Sequence, residues 1–485
     1  MGRNRAAAFT VVTISVRTEG RSNKVWLLVS GAVTIGVLSG VIAPQLVLAL
    51  ALLVTLFTLT VVRPPLGVAV AILLVPTIPI LPLPSIAGSP LITPTRAILG
   101  TAFAAVTMAM VLGKVQLRGS AVGWGFGFWL FAVAASVLTA IEPQAAVFRF
   151  TSEVFEAVAV VYLIVLVFDR RTWWLPLAAL VTAGVLNASL ALSEVLVGTN
   201  LFLPSGESVQ GLVSYAEGRL GLSRLQGTYP HPSFLAASLT MLVPIALGLF
   251  VIARRRLRWL LFCAIVLMSA ALFLTFTRAA WVAVTVASVA VFVSSARRHP
   301  RLWIGGYWIV AVAILLAALL PNVRDGIGEL LGDLLVTRST SPTATTGYRL
   351  VLTKAVIEGA AASPVTGFGA GNFAAVGLST VFAGRTLVLV SPDNHLLRVL
   401  LETGYLGLVA FLFMVAVLCV ALWRAVRSLP QAADRTLGVG VISGLVGFLL
   451  VNLTISALAI PQVAFVFWAG SGAVLSSRLR QKSGR

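Results

Sequence analysis

LFLTFTRAAWVAVTV (272–286) places one arginine, Arg278, between apolar runs of about 19 and 18 residues with almost no loop. Either run is long enough to cross a hydrocarbon core of about 30 Å as a helix. The stretch therefore reads as a helical hairpin that crosses a bilayer twice and turns at Arg278. Burying arginine at mid-membrane costs upward of about 2.5 kcal/mol, which puts Arg278 at the membrane boundary. There it is either a snorkelling residue beside Trp281 or a ligand-facing one.

The same pattern extends over the 485 residues, which are 59% hydrophobic and 10% charged with a mean hydropathy of +1.02. Soluble domains carry about 25% charged residues. The expected fold is an all-α, polytopic membrane protein of about 12–14 transmembrane helices. Fourteen spans can be placed, near 26–43, 46–62, 66–82, 96–113, 120–140, 153–168, 173–196, 233–253, 259–277, 279–296, 302–320, 400–423, 436–456 and 462–477. The termini and the connections on one side hold 24 of the 35 Lys and Arg but only three acids, Glu19, Asp169 and Asp434. Short basic loops mark the cytoplasmic side, so both termini are expected there. On this reading RRRLR (254–258) and RRHPR (297–301) set topology, and no nucleic-acid partner is expected despite the net charge of +20. Cys263 and Cys419 lie in apolar runs, and the three histidines are scattered, so neither a disulfide framework, a metal site nor a cofactor is expected. No cleavable signal peptide is read before the first apolar run.

The opposite side carries two long loops, about 197–232 and 321–399. Functional residues concentrate on loops held by a rigid scaffold, so the outer face is expected to carry the active site. In the second loop, 349–363 has helical periodicity, PVTGFGAGNF (364–373) reads as a glycine-rich turn, and Ser391-Pro392 reads as the start of the next helix, with Asp393 in its first turn. This divides the chain into a basic N-tail (1–25), N-terminal spans (26–196), a region 197–415 carrying the loops, C-terminal spans (416–477) and a basic tail (478–485).

Eleven Lys or Arg lie outside the cytoplasmic set, and ten are arginine: Arg96, Arg149, Arg219, Arg224, Arg278, Arg324, Arg338, Arg349, Arg385 and Arg398, with Lys354. Arginine is a permanently charged fork suited to phosphate and carboxylate, so an anionic ligand at the outer leaflet would account for them. Arg224 precedes a turn fixed by Gly227, Pro230 and Pro232, and His231 sits between the two prolines. Arg349 and Lys354 open the loop helix, either as a solvated face or toward a ligand. Asp393 is a candidate proton acceptor or a first-turn dipole partner. Arg398 and Glu402 are spaced to pair with each other. There is no GxxxxGK[ST], HExxH or GxSxG pattern.

Four stretches together resemble the O-antigen ligase and Wzy-type polymerase superfamily of bacterial membrane glycosyltransferases: RLQGTYPHPSFLA, TFTRAAWVAV, YRLVLTKAVIEGAAASPVTGFGAGNF and DNHLLRVLLETGYLGLVAF. The resemblance covers about residues 197–415. It implies metal-independent, inverting transfer of a glycan from a polyprenyl diphosphate to an acceptor hydroxyl, outside the cytoplasmic leaflet of the bacterial inner membrane. By the same matching, Arg224, Arg278 and Arg349 correspond to arginines that hold the diphosphate, and Glu402 to the glutamate before the glycines. Ligases usually have His-Asn where this chain has Asp393-Asn394, so the candidate base is Asp393, with His395 two positions on as the alternative. Catalytic candidates are thus Asp393, His395 and Glu402, with His231, Lys354 and Arg398 as further candidates. A transporter of a lipid-linked glycan or a small anion is the alternative reading. It is disfavoured here because the spans read as nearly free of charge, whereas transporters place ionisable groups mid-span.

Overall fold

Apolar runs of this length leave the backbone no partner but itself, so each closes as a helix. The computed structural model describes residues 44–78, 93–116, 122–197, 224–296, 344–382, 385–389 and 392–478. The helices are α1 (Pro44–Val62), α2 (Pro64–Thr77), α3 (Pro94–Val111), α4 (Gly123–Val137), α5 (Pro143–Val167), α6 (Trp174–Val197), α7 (Pro232–Ile252), α8 (Arg255–Leu274), α9 (Arg278–Ala296) and α10 (Ala344–Ala360). A hairpin of β1 (Ser379–Phe382) and β2 (Arg385–Val388) follows, then α11 (His395–Arg427), α12 (Ala432–Val451) and α13 (Pro461–Ser476). Eight of the described helices are long and apolar enough to cross a membrane. This is a polytopic all-α membrane protein. The expected spans 26–43 and 302–320 lie outside the described residues, as do Arg219, Arg324, Arg338, Ser391, the basic run 297–301 and residues 198–223 of the loop 197–232.

The connections and the helix ends beside them fall into two sets by charge. One set carries Arg63, Lys114, Arg170, Arg171, Arg254, Arg255, Arg256, Arg258, Arg424, Arg427 and Arg435. The Lys114 ammonium donates to Val61 O (3.0 Å) and ties two of these connections together. The other set includes the loops that carry the candidate site residues.

The core centres on α7, whose residues are buried almost throughout. Gly440 and Gly444 of α12 face the Pro244 and Met241 carbonyls so closely that an added Cβ would sit 2.6 Å from either oxygen. Without a hydrophobic drive between helices in lipid, such small-residue contacts let backbones approach and supply packing energy.

Four sequence expectations are corrected. The span read from 153 begins at Pro143 and contains a π-helical segment, Val154–Ala159. Arg149, Glu153 and Glu156 therefore lie inside a span, so the spans are not nearly free of charge; Arg149 pairs with Glu153, whereas Glu156 is buried with one carboxylate oxygen unpartnered among the described residues. The outer loop carries a two-stranded antiparallel hairpin as well as a helix. Asn394, not Ser391, caps α11: its side-chain oxygen accepts the Leu396 N–H at 2.8 Å, and Asp393 precedes the cap instead of lying in the first turn. Finally, the α11 run is not one continuous helix.

α11 breaks at Gly404 (φ 65°, ψ −168°), separating a short half-helix, 395–403, from the long membrane helix. Breaking a helix orphans backbone groups, which must find partners. The glycine-rich loop supplies them. Phe368 N donates to Leu401 O (3.1 Å), while Tyr405 N and Leu406 N donate to the Pro364 and Val365 carbonyls at 2.8 and 3.2 Å. The loop also reaches α4 and α5: Ala370 N donates to Ser136 Oγ (3.2 Å) and Glu142 N to Asn372 Oδ1 (2.6 Å). This strut fixes the half-helix, and with it Asp393, against the N-terminal half of the bundle.

Candidate active site

The candidate residues form two separate groups of charged side chains. The first forms around the turn between α8 and α9. Arg224 Nε donates to Thr275 O at 2.7 Å and its Nη2 to Thr277 Oγ1 at 3.2 Å, beside Arg278. The segment is pinned elsewhere too. Glu194 of α6 accepts the Gln226 and Gly227 N–H groups at 3.2 and 2.7 Å, and Thr228 hydrogen-bonds Asn187. Among the described residues Arg224 hydrogen-bonds only neutral oxygens, and burial lowers its pKa. Arg278 is exposed at the first residue of α9 and has no hydrogen bond or ion pair to a described residue.

His231 caps α7: its Nδ1 accepts the Ser233 N–H at 3.2 Å, and its ring packs edge-on against Phe234. Burial, reinforced by the Arg224 charge, pushes its pKa down to about 4. The ring is therefore a neutral cap at physiological pH. Unfolded histidine takes up its proton near pH 6.5, so this contribution to stability is complete above pH 6.5 and is lost as pH falls from 6.5 toward 4. The thermal midpoint of the wild type should drop more between pH 7 and 4.5 than that of His231→Asn, whose cap does not titrate. Equal drops would remove His231 from the acid response.

The second group surrounds the start of α11. Arg349 Nε of α10 faces Asp393 Oδ2 at 3.3 Å, and both side chains are about two-fifths exposed. Lys354 pairs with Glu358 at 3.8 Å on the solvated face of the same helix. Behind them, Arg398 Nε bonds Glu402 Oε1 at 2.8 Å, and Glu402 Oε2 accepts the Gly371 N–H at 2.8 Å. Glu402 is only 5% exposed, with both oxygens engaged. His395 is buried: its N–H donates to Asn452 O, its Nδ1 lies 3.0 Å from Ser456 Oγ, and its ring meets the edge of Phe411.

The structure thus joins Arg224 to the turn bearing Arg278, Arg349 to Asp393, and Arg398 to Glu402. A described cavity is lined by His395, Arg398 and Glu402 together with Trp129, Arg149 and Glu153, and not by Arg224, Arg278, Arg349 or Asp393. The N-terminal contribution was missed in the sequence reading. Arg149 donates to Ala459 O (3.1 Å) and pairs with Glu153 at 2.5 Å. Arg96 donates to Ser152 and stands over the Phe148 ring at 4.1 Å. Charged residues within the run 149–156 were the available signal. Among the described residues no group of three or more His, Cys, Asp or Glu is placed to hold a metal ion.

Fold and site define a multi-pass helical membrane protein with arginine- and carboxylate-bearing loops. Residues 263–412 match the family model described as O-antigen ligase, so that region of the chain is similar to the O-antigen ligase family. The matched region includes Arg278, Arg349, Asp393, His395 and Glu402. No curated protein matches the chain.

Proposed function

We propose that the protein transfers a glycan from a polyprenyl diphosphate to an acceptor hydroxyl at the outer face of the bacterial inner membrane. The observation that carries this reading is the uncompensated pair Arg224 and Arg278. Arg149, Arg349, Arg398 and Lys354 each have a carboxylate within 4 Å, whereas these two have none among the described residues. Two cations at a membrane boundary without counter-charges suit a phosphate-bearing lipid head. The basic set of connections favours a cytoplasmic placement for that set and for both termini.

In the reaction, the acceptor oxygen forms a bond to the anomeric carbon from the face opposite the departing diphosphate, inverting it. The carbon–oxygen bond electrons leave with the diphosphate, and Arg224 and Arg278 stabilise that charge as it develops. Asp393 receives the hydroxyl proton. Arg349 holds Asp393 in place and lies within reach of an incoming phosphate. The catalytic region is taken as 197–415, with Glu402 and Arg398 behind the reacting groups.

A transport reading draws on the charged residues inside α5 and the broken helix α11. Arg149 pairs with Glu153, and the glycine-rich loop takes up the backbone groups freed at the break in α11. Glu156 is buried with one carboxylate oxygen unpartnered among the described residues, and it is the group on which a transport reading rests. Deletion in the native host, with analysis of surface glycan and lipid-linked intermediates, separates the readings. Single repeat units on the final acceptor identify a polymerase. Long chains stranded on the lipid at the outer leaflet identify a ligase. Unchanged glycan defeats the enzyme reading.

A further inference from the structure

The cavity beside α11 measures about 20 Å³, room for one water-sized group. Its walls come from both halves of the chain: Trp129 of α4, Arg149 and Glu153 of α5, and His395, Arg398 and Glu402 of the half-helix. Trp129 is 4% exposed, and its indole N–H has no partner among the described residues. Leaving a buried donor of this kind unmade is costly, so a polar group belongs in its reach. The charges of the lining are balanced, Arg149 by Glu153 and Arg398 by Glu402, which leaves no net charge to draw an anion. What remains is an indole donor beside carboxylate oxygens with spare lone pairs. That combination suits a group that accepts and donates at once, which is a hydroxyl.

The cavity lies against the first turn of α11, and Asp393 precedes His395 by two residues. A sugar whose reacting hydroxyl lies at Asp393 carries further hydroxyls close by. We infer that this cavity is a subsite for a non-reacting hydroxyl of the acceptor sugar, with the Trp129 N–H as its donor and Glu153 as its acceptor. The inference rests on the glycosyl-transfer reading above. It also assigns part of the acceptor site to α4 and α5, outside the region that matches the O-antigen ligase family.

The test uses the full-length protein in detergent, with donor lipid extracted from the deletion host. The acceptors are methyl glycosides of the sugars in that host's surface glycan, together with their monodeoxy analogues. Trp129→Phe keeps an aromatic wall against Phe411 and removes only the N–H. The expected result is an acceptor KM raised about tenfold with kcat little changed, the loss of one neutral hydrogen bond of about 1.4 kcal/mol. One monodeoxy acceptor should show the same loss with the wild type and no further loss with the variant. Additive losses, or a variant that matches the wild type, would mean that the cavity holds only a buried water, and would overturn the inference. Should Trp129→Phe not accumulate, the wild type alone decides: equal turnover of all the monodeoxy acceptors also overturns it. If the wild type transfers to no acceptor, the glycosyl-transfer reading fails first and this subsite fails with it.

Discussion

Arg278→Ala should leave a folded protein whose transfer rate falls by about 10²–10³, the cost of removing one preorganised donor from developing charge in a transition state. Few variants separate chemistry from folding so cleanly. Arg278 is exposed and makes no hydrogen bond or ion pair to a described residue, so its removal orphans no described group. Arg278→Lys keeps the charge but loses the fork that grips two phosphate oxygens, and should retain intermediate activity. Arg224→Ala is a less clean probe, because it also takes a donor from Thr275 O. The measurement is single-turnover transfer from purified donor lipid, with thermal unfolding run alongside. Wild-type turnover by Arg278→Ala, at unchanged stability, would remove the diphosphate from this end of α9.

The same arginine shows why the sequence was informative at some places and silent at others. Continuous apolar runs specify spans directly, because a helix is the one open-ended structure that satisfies its own backbone in lipid. Arg278 stood out because it lies between two apolar runs with almost no loop, and Arg224 because it precedes a turn fixed by Gly227, Pro230 and Pro232. Arg149 stood among the outward arginines too, but its significance depends on Ala459, more than 300 residues away, and on a cavity shared with Glu402. No spacing rule reports that. The start of α5 was misplaced for a related reason. Charges inside an apolar run read as a boundary unless their compensation is known, and here it comes from Glu153 one helical turn on. The β-hairpin was legible in retrospect, since STVF and RTLV flank Ala383-Gly384. The cap was a matter of competition between neighbours. Ser391-Pro392 has the form of a helix start, but Asn394 is as strong a cap and is the one used, which leaves Asp393 outside the helix and facing Arg349.

Glu402→Ala should be the most damaging single change in the second group, and its damage should pass through the half-helix, not through lost proton transfer. Both carboxylate oxygens are occupied, one by Arg398 and one by the Gly371 N–H, leaving no oxygen in reach of the exposed Asp393–Arg349 pair without breaking a bond. Removing one member of a buried ion pair costs roughly 3–5 kcal/mol, because the other charge stays behind unpaired. The Gly371 N–H is orphaned as well. That loop cannot easily adapt: Gly367 (φ 68°) lies so close that an added Cβ would stand 2.5 Å from the Glu402 backbone, and Gly404 is similarly pressed against Val365. Glu402→Gln keeps an oxygen for Gly371 but turns an amide toward Arg398, so it should fold better than alanine and regain part of kcat. The informative variant is Arg398→Ala combined with Glu402→Ala. Deleting both charges should restore much of the stability lost in Glu402→Ala while turnover stays low, because the strut from Gly371 is still missing and Asp393 is no longer held in register. If the double variant recovered turnover along with stability, Glu402 would matter only as the partner of Arg398. If Glu402→Gln were as stable as wild type yet inactive, the carboxylate would have to act on the reacting groups themselves.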